Sequence, residues 1–494
     1  MGLGSETVGK KASYLLVEST AGMIAGYVLW LVLSTLTTPT VIGIASTVIS
    51  LSIIFSQIID LAVPTGGTRF LGKSFSDGNA EDTQVLVRGS LLIVCSSILV
   101  CSALILVFKQ WLTPSFGIDL TIILILLIGI SVIVNLLRSI IIASLKTKSL
   151  PKIMVASSII RIILAIILVL FGTGATGITT GYVIGFGSAI VLLAFTLVTR
   201  LKPVKKEGTM SLFQGCKSIL VASIPSWIPR VLAVVGAHLG TVVVFGTYGA
   251  DQAGSYFIAM AIFYAIDAIK NSLFAVAFPI VSAMDDKRKR LVWQIIKMSL
   301  VVSLPISSTA IVYSNEALGL IGPNYVQASI PLKIILLSIF PLTLILGIST
   351  LVYSYGNYWH VFGIGLGLNV PRVLLYFLLV PLYGSAGAAV SFTIGSIVGF
   401  IISIIIAERI RMMILWKELA LIFAIPTAIA FAFDYFHVTY IIGIPIILSV
   451  SILLMIASRI LSKSEVQETL YVLPDRIGKP LIKILDKLWR QPNI

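Results

Sequence analysis

The chain has 494 residues, of which 58% are hydrophobic and only 11% charged, and its mean hydropathy is +1.07. That composition excludes a soluble globular domain and defines a polytopic membrane protein. The net charge of +15 is not a nucleic-acid signature, because the basic residues fall in short loops between apolar stretches, where membrane topology requires them.

A bilayer-crossing helix needs about 20 apolar residues. On that length the sequence predicts an all-α fold of about 14 transmembrane helices. Six run near 12–35, 39–63, 85–108, 119–144, 151–171 and 177–199. Six more run near 218–245, 253–282, 291–313, 326–353, 359–382 and 384–408, and a final pair near 413–434 and 439–459. The N-terminus, Met1 to Lys11, is polar and shows no cleavage site before the first span. Cys95, Cys101 and Cys216 show neither disulfide nor metal spacing.

Basic residues orient the stack. With the N-terminus inside, the cytoplasmic segments carry Lys10, Lys11, Arg69, Lys73, Arg88, Lys146, Lys148, Lys152, Arg200, Lys202, Lys205, Lys206, Lys217, Lys287, Arg288, Lys289, Arg290, Arg409, Arg411 and Lys417, whereas the opposite loops carry Lys109. This places both termini in the cytoplasm and the protein in the plasma membrane. The loop near Tyr353–His360 is the exception, being expected on the cytoplasmic side without a Lys or Arg.

The chain also repeats itself. Gly174-Ala175-Thr176-Gly177, with Gly181 and Gly185, matches Gly384-Ser385-Ala386-Gly387, with Ser391 and Gly395, at an offset of 210. Arg161 matches Arg372 and Gly43 matches Gly254, each at an offset of 211. An offset of six spans is even, so the repeats are parallel, related by an axis along the membrane normal. The expected organisation is an N-terminal lobe at 1–205, a C-terminal lobe at 206–411, two extra spans at 412–460 and a basic amphipathic tail at 461–494. The tail's Leu481–Arg490 segment has the helical spacing of a surface-lying helix, or of one docked on the protein's own loops.

No enzyme constellation is present. His238, His360 and His437 are scattered, carboxylates and cysteines do not cluster at ligand spacing, and no phosphate-binding Gly-Lys-Ser/Thr loop appears. The sequence predicts neither catalysis, metal nor cofactor, and energy from an ion gradient or from the substrate's own gradient.

Seven basic residues lie inside the apolar spans: Arg138, Arg161, Arg230, Lys270, Lys297, Lys333 and Arg372. A cation at membrane depth is costly unless it faces protein or water. Arg138, Lys297 and Lys333 are near span ends, from which they can snorkel to headgroups. Asp267 and Lys270 share one helix face as an i,i+3 pair. Arg161, Arg230 and Arg372 are near span centres with no such local partner. Either they tie backbone carbonyls across helices or they hold an anionic substrate, for which the guanidinium fork suits phosphate. Arg230 has no basic counterpart in the repeat, which makes it the first substrate candidate, with Arg161, Arg372 and Lys270 beside it and the three arginines expected around a shared cavity. Glu18, Asp60 and Asp267 are candidate ion-coupling sites, with Asp60 also placed to pair with Arg69 or to cap the loop Pro64–Gly67. Pro225 and Pro229 flank Trp227 immediately before Arg230, so the seventh span is expected to bend.

Several short stretches carry a family resemblance. Gly43-Ile44-Ala45-Ser46-Thr47-Val48, then Ile59-Asp60-Leu61 and Arg69-Phe70-Leu71, resemble the opening of polysaccharide-export flippases. Ala253 to Ala259 matches at the corresponding place in the second half, and Gly319 to Tyr325 resembles the short loop after the ninth span. The family lies in the multidrug/oligosaccharidyl-lipid/polysaccharide exporter superfamily. The resemblance implies two six-helix lobes, often two extra helices, and transfer of a polyprenyl-phosphate-linked glycan from the cytoplasmic to the outer leaflet by alternating access. It implies as partners an anionic lipid-linked glycan, membrane lipids, a proton or sodium ion, and glycan-assembly enzymes. A small-molecule exporter of the same superfamily and a non-transporting scaffold for glycan assembly are the alternatives.

Overall fold

Every element of the computed structural model is a helix among the described residues, which are 18, 21–23, 25–77, 80–112, 115–145, 147–198, 211–284, 286–458 and 460. In chain order they are α1 (Ala21–Leu36), α2 (Pro39–Ile59), α3 (Val63–Ser76), α4 (Ala80–Val107), α5 (Lys109–Leu112), α6 (Ile118–Ala143), α7 (Leu150–Leu170), α8 (Gly174–Val198) and α9 (Leu212–Tyr248). There follow α10 (Ala250–Ala283), α11 (Arg288–Val312), α12 (Ser314–Ile321), α13 (Ser329–Leu336), α14 (Ile339–Ser354), α15 (Tyr358–Arg409), α16 (Trp416–Tyr435) and α17 (Tyr440–Ala457). The start of the expected first span, residues 199–210 and the amphipathic tail lie outside the described residues.

The protein is an all-α integral membrane protein. Among the described residues eleven helices are long and apolar enough to cross a bilayer, or twelve if the pair Pro323–Leu336 and Ile339–Ser354, bent by 40°, is one span. The expected fourteen differs from this count for local reasons. The 52-residue α15 is one continuous run, yet Gly384 inside it has φ 57° and ψ −135°, a conformation outside the helix that breaks it where the eleventh and twelfth spans were expected to part. The first helix is described only over 16 residues, short of a full crossing.

Local sequence explains the ends that matter below. Pro39 opens α2 at a position where its missing N–H is not needed. The α2 helix ends at Asp60, and Leu61 (φ 47°) and Ala62 (φ 52°) then turn the chain through the left-handed region before Val63 and Pro64 begin α3. A 14-residue helix thus stands where a loop was expected. Ser211 caps α9 through a reciprocal box with Gln214, each side chain meeting the other residue's backbone at 3.1–3.2 Å. Pro225 and Pro229 inside α9 deprive the carbonyls of Val221 and Pro225 of their i+4 donors.

Two compact units are formed: Met1–Ile258 with Tyr376–Ser385, and Ala259–Leu375 with Ala386–Ile494. In the first, a core that includes Val63, Leu71, Val94, Val132, Leu150 and Ile219 joins α3, α4, α6, α7, α8 and α9. There α2 and α10 meet at Gly43 and Gly254. A Cβ on Gly43 would collide with Ala250's carbonyl group, and one on Gly254 with that of Pro39. Pro39 and Ala250 are themselves 211 apart, so this backbone contact maps onto itself under the repeat.

The second unit explains the loop that lacked basic residues. Arg288 donates from Nη1 to Ser354 O at 2.7 Å, donates from Nε to Met284 O, and stacks on Tyr355 at 5.5 Å. Lys289 Nζ donates to Arg411 O at 3.3 Å. The three chain segments following α10, α14 and α15 therefore lie together, and Arg288 supplies the charge that the second lacks. The appended helices clamp α11 at both ends. Lys297 pairs with Glu418 at 3.0 Å and donates to Ile460 O at 3.2 Å, while Tyr313 donates to Val438 O at 3.0 Å. Lys297 is 2% exposed, so it is buried in this clamp instead of snorkelling to the headgroups.

Candidate functional site

The α2–α3 corner and α9, which contains Pro225 and Pro229, bring a group of polar side chains together in the first unit. Asp60 is 1% exposed. Its Oδ1 accepts from Ala62 N at 2.7 Å, which stabilises the left-handed turn, and both carboxylate oxygens accept from Gln57 Nε2 at 3.2 and 3.1 Å. A left-handed non-glycine residue costs about 1–2 kcal/mol, so two in succession need such a cap. Asp60 therefore caps the Leu61–Ala62 turn, not the Pro64–Gly67 stretch it was expected to cap, which lies within α3.

Arg230 reaches this corner from α9. Its Nη1 donates to Thr65 Oγ1 at 2.6 Å and its Nη2 to Gln57 Oε1 at 3.4 Å, with Asp60 Oδ2 at 3.7 Å from Nη2. The ion-pair partner of Asp60 is thus Arg230, not Arg69, and Arg230 has a carboxylate partner that lies 170 positions away. The Arg230 side chain remains 35% exposed. Trp227, one turn earlier, donates from its indole N–H to Ile58 O at 2.9 Å and fixes α9 to the end of α2. Gly66 permits the approach: a Cβ there would collide with the Ser223 hydroxyl of α9.

The other embedded ions are arranged differently. Arg138 holds Glu18 through two hydrogen bonds, 2.5 and 3.2 Å long, so it too is paired instead of snorkelling. Lys270 pairs with Asp267 as the i,i+3 spacing predicted, and Asn271 Nδ2 donates to the other carboxylate oxygen at 2.8 Å. Lys333 is half-buried on α13.

Arg161 and Arg372 occupy matching places in two helix pairs. Arg161 lies 4.7 Å from the centre of the Tyr182 ring and 5.5 Å from that of Phe186, with its stem against Gly185. Arg372 lies 3.7 Å from the centre of the Phe392 ring, with its stem against Gly395. Tyr182 and Phe392 are 210 apart, as are Gly185 and Gly395. Arg372 also donates from Nε to Phe392 O at 3.2 Å and from Nη2 to Ser396 Oγ at 2.7 Å. Both arginines are buried, at 9% and 4% exposure. Arg372 meets a backbone carbonyl, as the helix-tying alternative requires, whereas Arg161 is held by rings and its buried Nε has no hydrogen-bond partner.

Sequence reasoning missed Gln57, Thr65 and Glu418. The signal for Gln57 was present, since Gln57 and Asp60 are three apart on one helix face. Thr65 and Glu418 meet their partners only through tertiary folding.

A broken helix, ion pairs within apolar helices and cation-bearing helix pairs repeated along one chain mark this integral membrane protein. The chain belongs to the polysaccharide biosynthesis protein family, whose model matches residues 32–329. No curated protein matches the sequence. Among solved structures it is similar to the lipid II flippase MurJ in an inward closed conformation, with 15% identity and a TM-score of 0.68 over 88% of this chain and 97% of that one. It is also similar to an inward-facing multidrug resistance MATE family transporter of the MOP superfamily, with 14% identity and a TM-score of 0.63 over 80% of this chain and 93% of that one. A third is a MOP superfamily transporter from Pyrococcus furiosus, in which reverse polarity of the binding pocket suggests a different function; identity is 14% and the TM-score 0.53, over 81% of this chain and 95% of that one. At these identities the likeness is one of fold.

Proposed function

We propose that the protein moves a polyprenyl-phosphate-linked oligosaccharide or polysaccharide precursor from the cytoplasmic to the outer leaflet by alternating access of two six-helix lobes, 1–205 and 206–411. The observation that carries this reading is Arg230, a guanidinium at the middle of a membrane helix that stays 35% exposed and spends its hydrogen bonds on neutral oxygens. It is the embedded arginine best placed to receive a phosphate, whose paired oxygens suit the guanidinium fork. Family membership supports the glycan part of the substrate. The likeness to a lipid II flippase supports the lipid part.

Arg161 and Arg372 hold their helix pairs together, and Lys270 is neutralised by Asp267. Asp60, Asp267 and Glu18 are the acids from which a coupling proton or sodium ion is drawn, and each must first release a basic partner. Both termini face the cytoplasm, on the side of the Lys287–Arg290 segment. The tail offers a surface to anionic lipid and to glycan-assembly enzymes.

A second reading is export of a small cationic molecule, favoured by the MATE-like fold and by the embedded acids. Reconstitution into liposomes separates the two. A fluorescent short-chain polyprenyl diphosphate sugar should cross leaflets with the wild type and at least tenfold more slowly with Arg230→Ala. Transport of a cationic dye with no flipping of the lipid, unaffected by Arg230→Ala, would establish the exporter instead.

A further inference from the structure

Two arginine–carboxylate pairs in the first unit have different geometry. Arg138 and Glu18 engage through two hydrogen bonds, the closed fork expected of a structural pair. Arg230 and Asp60 approach at 3.7 Å, beyond hydrogen-bond reach, and neither depends on the other for its hydrogen bonds. Asp60 is already satisfied by Ala62 N and Gln57 Nε2, and Arg230 already donates to Thr65 and Gln57. Gln57 stands between them, with its amide nitrogen on the acid and its amide oxygen on the base. Exposure is alike in the two pairs, 34% for Arg138 and 35% for Arg230 with both acids sealed, so the hydrogen bonding is what distinguishes them. A guanidinium that presents donors to the outside while held only by charge from behind is poised to exchange one anion for another.

We propose that Asp60 is an internal counter-ion that competes with the substrate's phosphate for Arg230, and that Gln57 is the positioning residue that sets the strength of the competition. This rests on the reading of Arg230 as the anion contact and adds the regulation of that site. In the empty site Asp60 neutralises Arg230, so the embedded cation costs little. An arriving phosphate or diphosphate supplies two oxygens to the open edge of the fork and draws Arg230 from the acid. Asp60 keeps its bonds to Ala62 and Gln57, so the strained corner remains capped during the exchange. When the phosphate departs, Asp60 recovers Arg230, which favours release and prevents the site from trapping its ligand.

The test is equilibrium binding of radiolabelled farnesyl diphosphate, a short polyprenyl diphosphate, to the full chain in nanodiscs. Asp60→Asn keeps an oxygen for the Ala62 N–H and removes the competing charge. Its half-saturating concentration should fall about tenfold, equivalent to ~1.4 kcal/mol. Gln57→Glu places a second carboxylate beside Arg230 and should raise it. Asp119→Asn, the same charge change at an exposed residue opening α6, should leave it unaltered. Arg230→Ala should abolish the saturable component in every background. If Asp60→Asn binds as the wild type or more weakly while Arg230→Ala still abolishes binding, the competition is refuted and the anion contact stands. If Asp119→Asn tightens binding as much as Asp60→Asn, the effect is net charge and the competition is again refuted. If Arg230→Ala binds like the wild type, or the wild type shows no saturable binding, the anion contact itself falls and this inference with it.

Discussion

The contact between Gly43 and Gly254 makes a prediction with an unusual sign pattern. A Cβ on Gly43 would lie 2.7 Å from the carbonyl carbon of Ala250 and 2.8 Å from Gly254 N; one on Gly254 would lie 2.8 Å from the carbonyl carbon of Pro39 and 2.8 Å from Gly43 N. Real Cβ atoms essentially never approach closer than 3.0 Å, and these neighbours are backbone that cannot rotate away. The helices must separate by roughly 1 Å, and overpacking of this kind costs about 1–3 kcal/mol. Gly43→Ala and Gly254→Ala should therefore each destabilise the protein, by similar amounts because the contact is symmetric under the repeat. One separation relieves both collisions, so the double variant should cost less than the sum of the two, with a coupling of about 1 kcal/mol or more. Gly363→Ala in α15, whose added Cβ meets nothing within 4 Å, should instead stabilise by about 0.5–1 kcal/mol, since glycine is a poor helix residue. Unfolding of detergent-solubilised protein by denaturant, followed by tryptophan fluorescence, measures all four. Strict additivity of the two alanines, or a tolerated alanine at either glycine, would refute the symmetric backbone contact.

Two further outcomes follow from the second unit. Lys297→Met leaves Glu418 without its cation and Ile460 O without a donor, and should cost about 3 kcal/mol in the same unfolding measurement; the double change Lys297→Met with Glu418→Met should recover most of it, because a paired loss is cheaper than a broken pair. Arg372→Lys keeps the charge but loses the stacked plane on Phe392 and the bond to Ser396, and should cost about 1–2 kcal/mol, more than Arg161→Lys, whose repeat position opposite Ser396 is Phe186. Equal costs at the two arginines would contradict the assignment of the Ser396 bond.

Span positions were legible because apolar length is a strong signal, and the repeat was legible because glycine spacing reports close helix packing directly. The breaks were not. Asp60-Leu61-Ala62 carries no glycine and reads as the end of an ordinary span, although two residues there adopt the left-handed region. The stop at Gly384 was marked in the sequence, but a helix continuing on both sides of it within one run was not. At the site, the i,i+3 pair of Asp267 and Lys270 could be read from spacing alone. The partners of Arg138, Arg230 and Lys297 lie 120, 170 and 121 positions away, and no local rule reaches that far. Tertiary folding thus brings an acid to each of these three, whereas Arg161 and Arg372 meet rings.

The repeat duplicates the scaffold but not its chemistry. The glycine contact at Gly43 and Gly254, the arginines at 161 and 372, and the rings at Tyr182 and Phe392 all recur at 210 or 211 positions. At an offset of 211, however, Asp60 falls on Asn271, and Arg230 falls on Ser19, beside Glu18. The first half therefore places an acid on its opening span where the second half places a base, and the acid ending α2 becomes an amide in α10. A symmetric site would bring two like charges toward a shared ligand, with repulsion that low dielectric strengthens. Divergence at these positions removes that repulsion and leaves two unlike pairs in the first unit, closed at Arg138 and Glu18 within the first half of the sequence, open where Arg230 of the second half meets Asp60 of the first. Function in this chain is thus expected where the repeat fails; it fails at Arg138, which falls on Ser349 at an offset of 211, and at Arg230, and of these two Arg230 has the open pair.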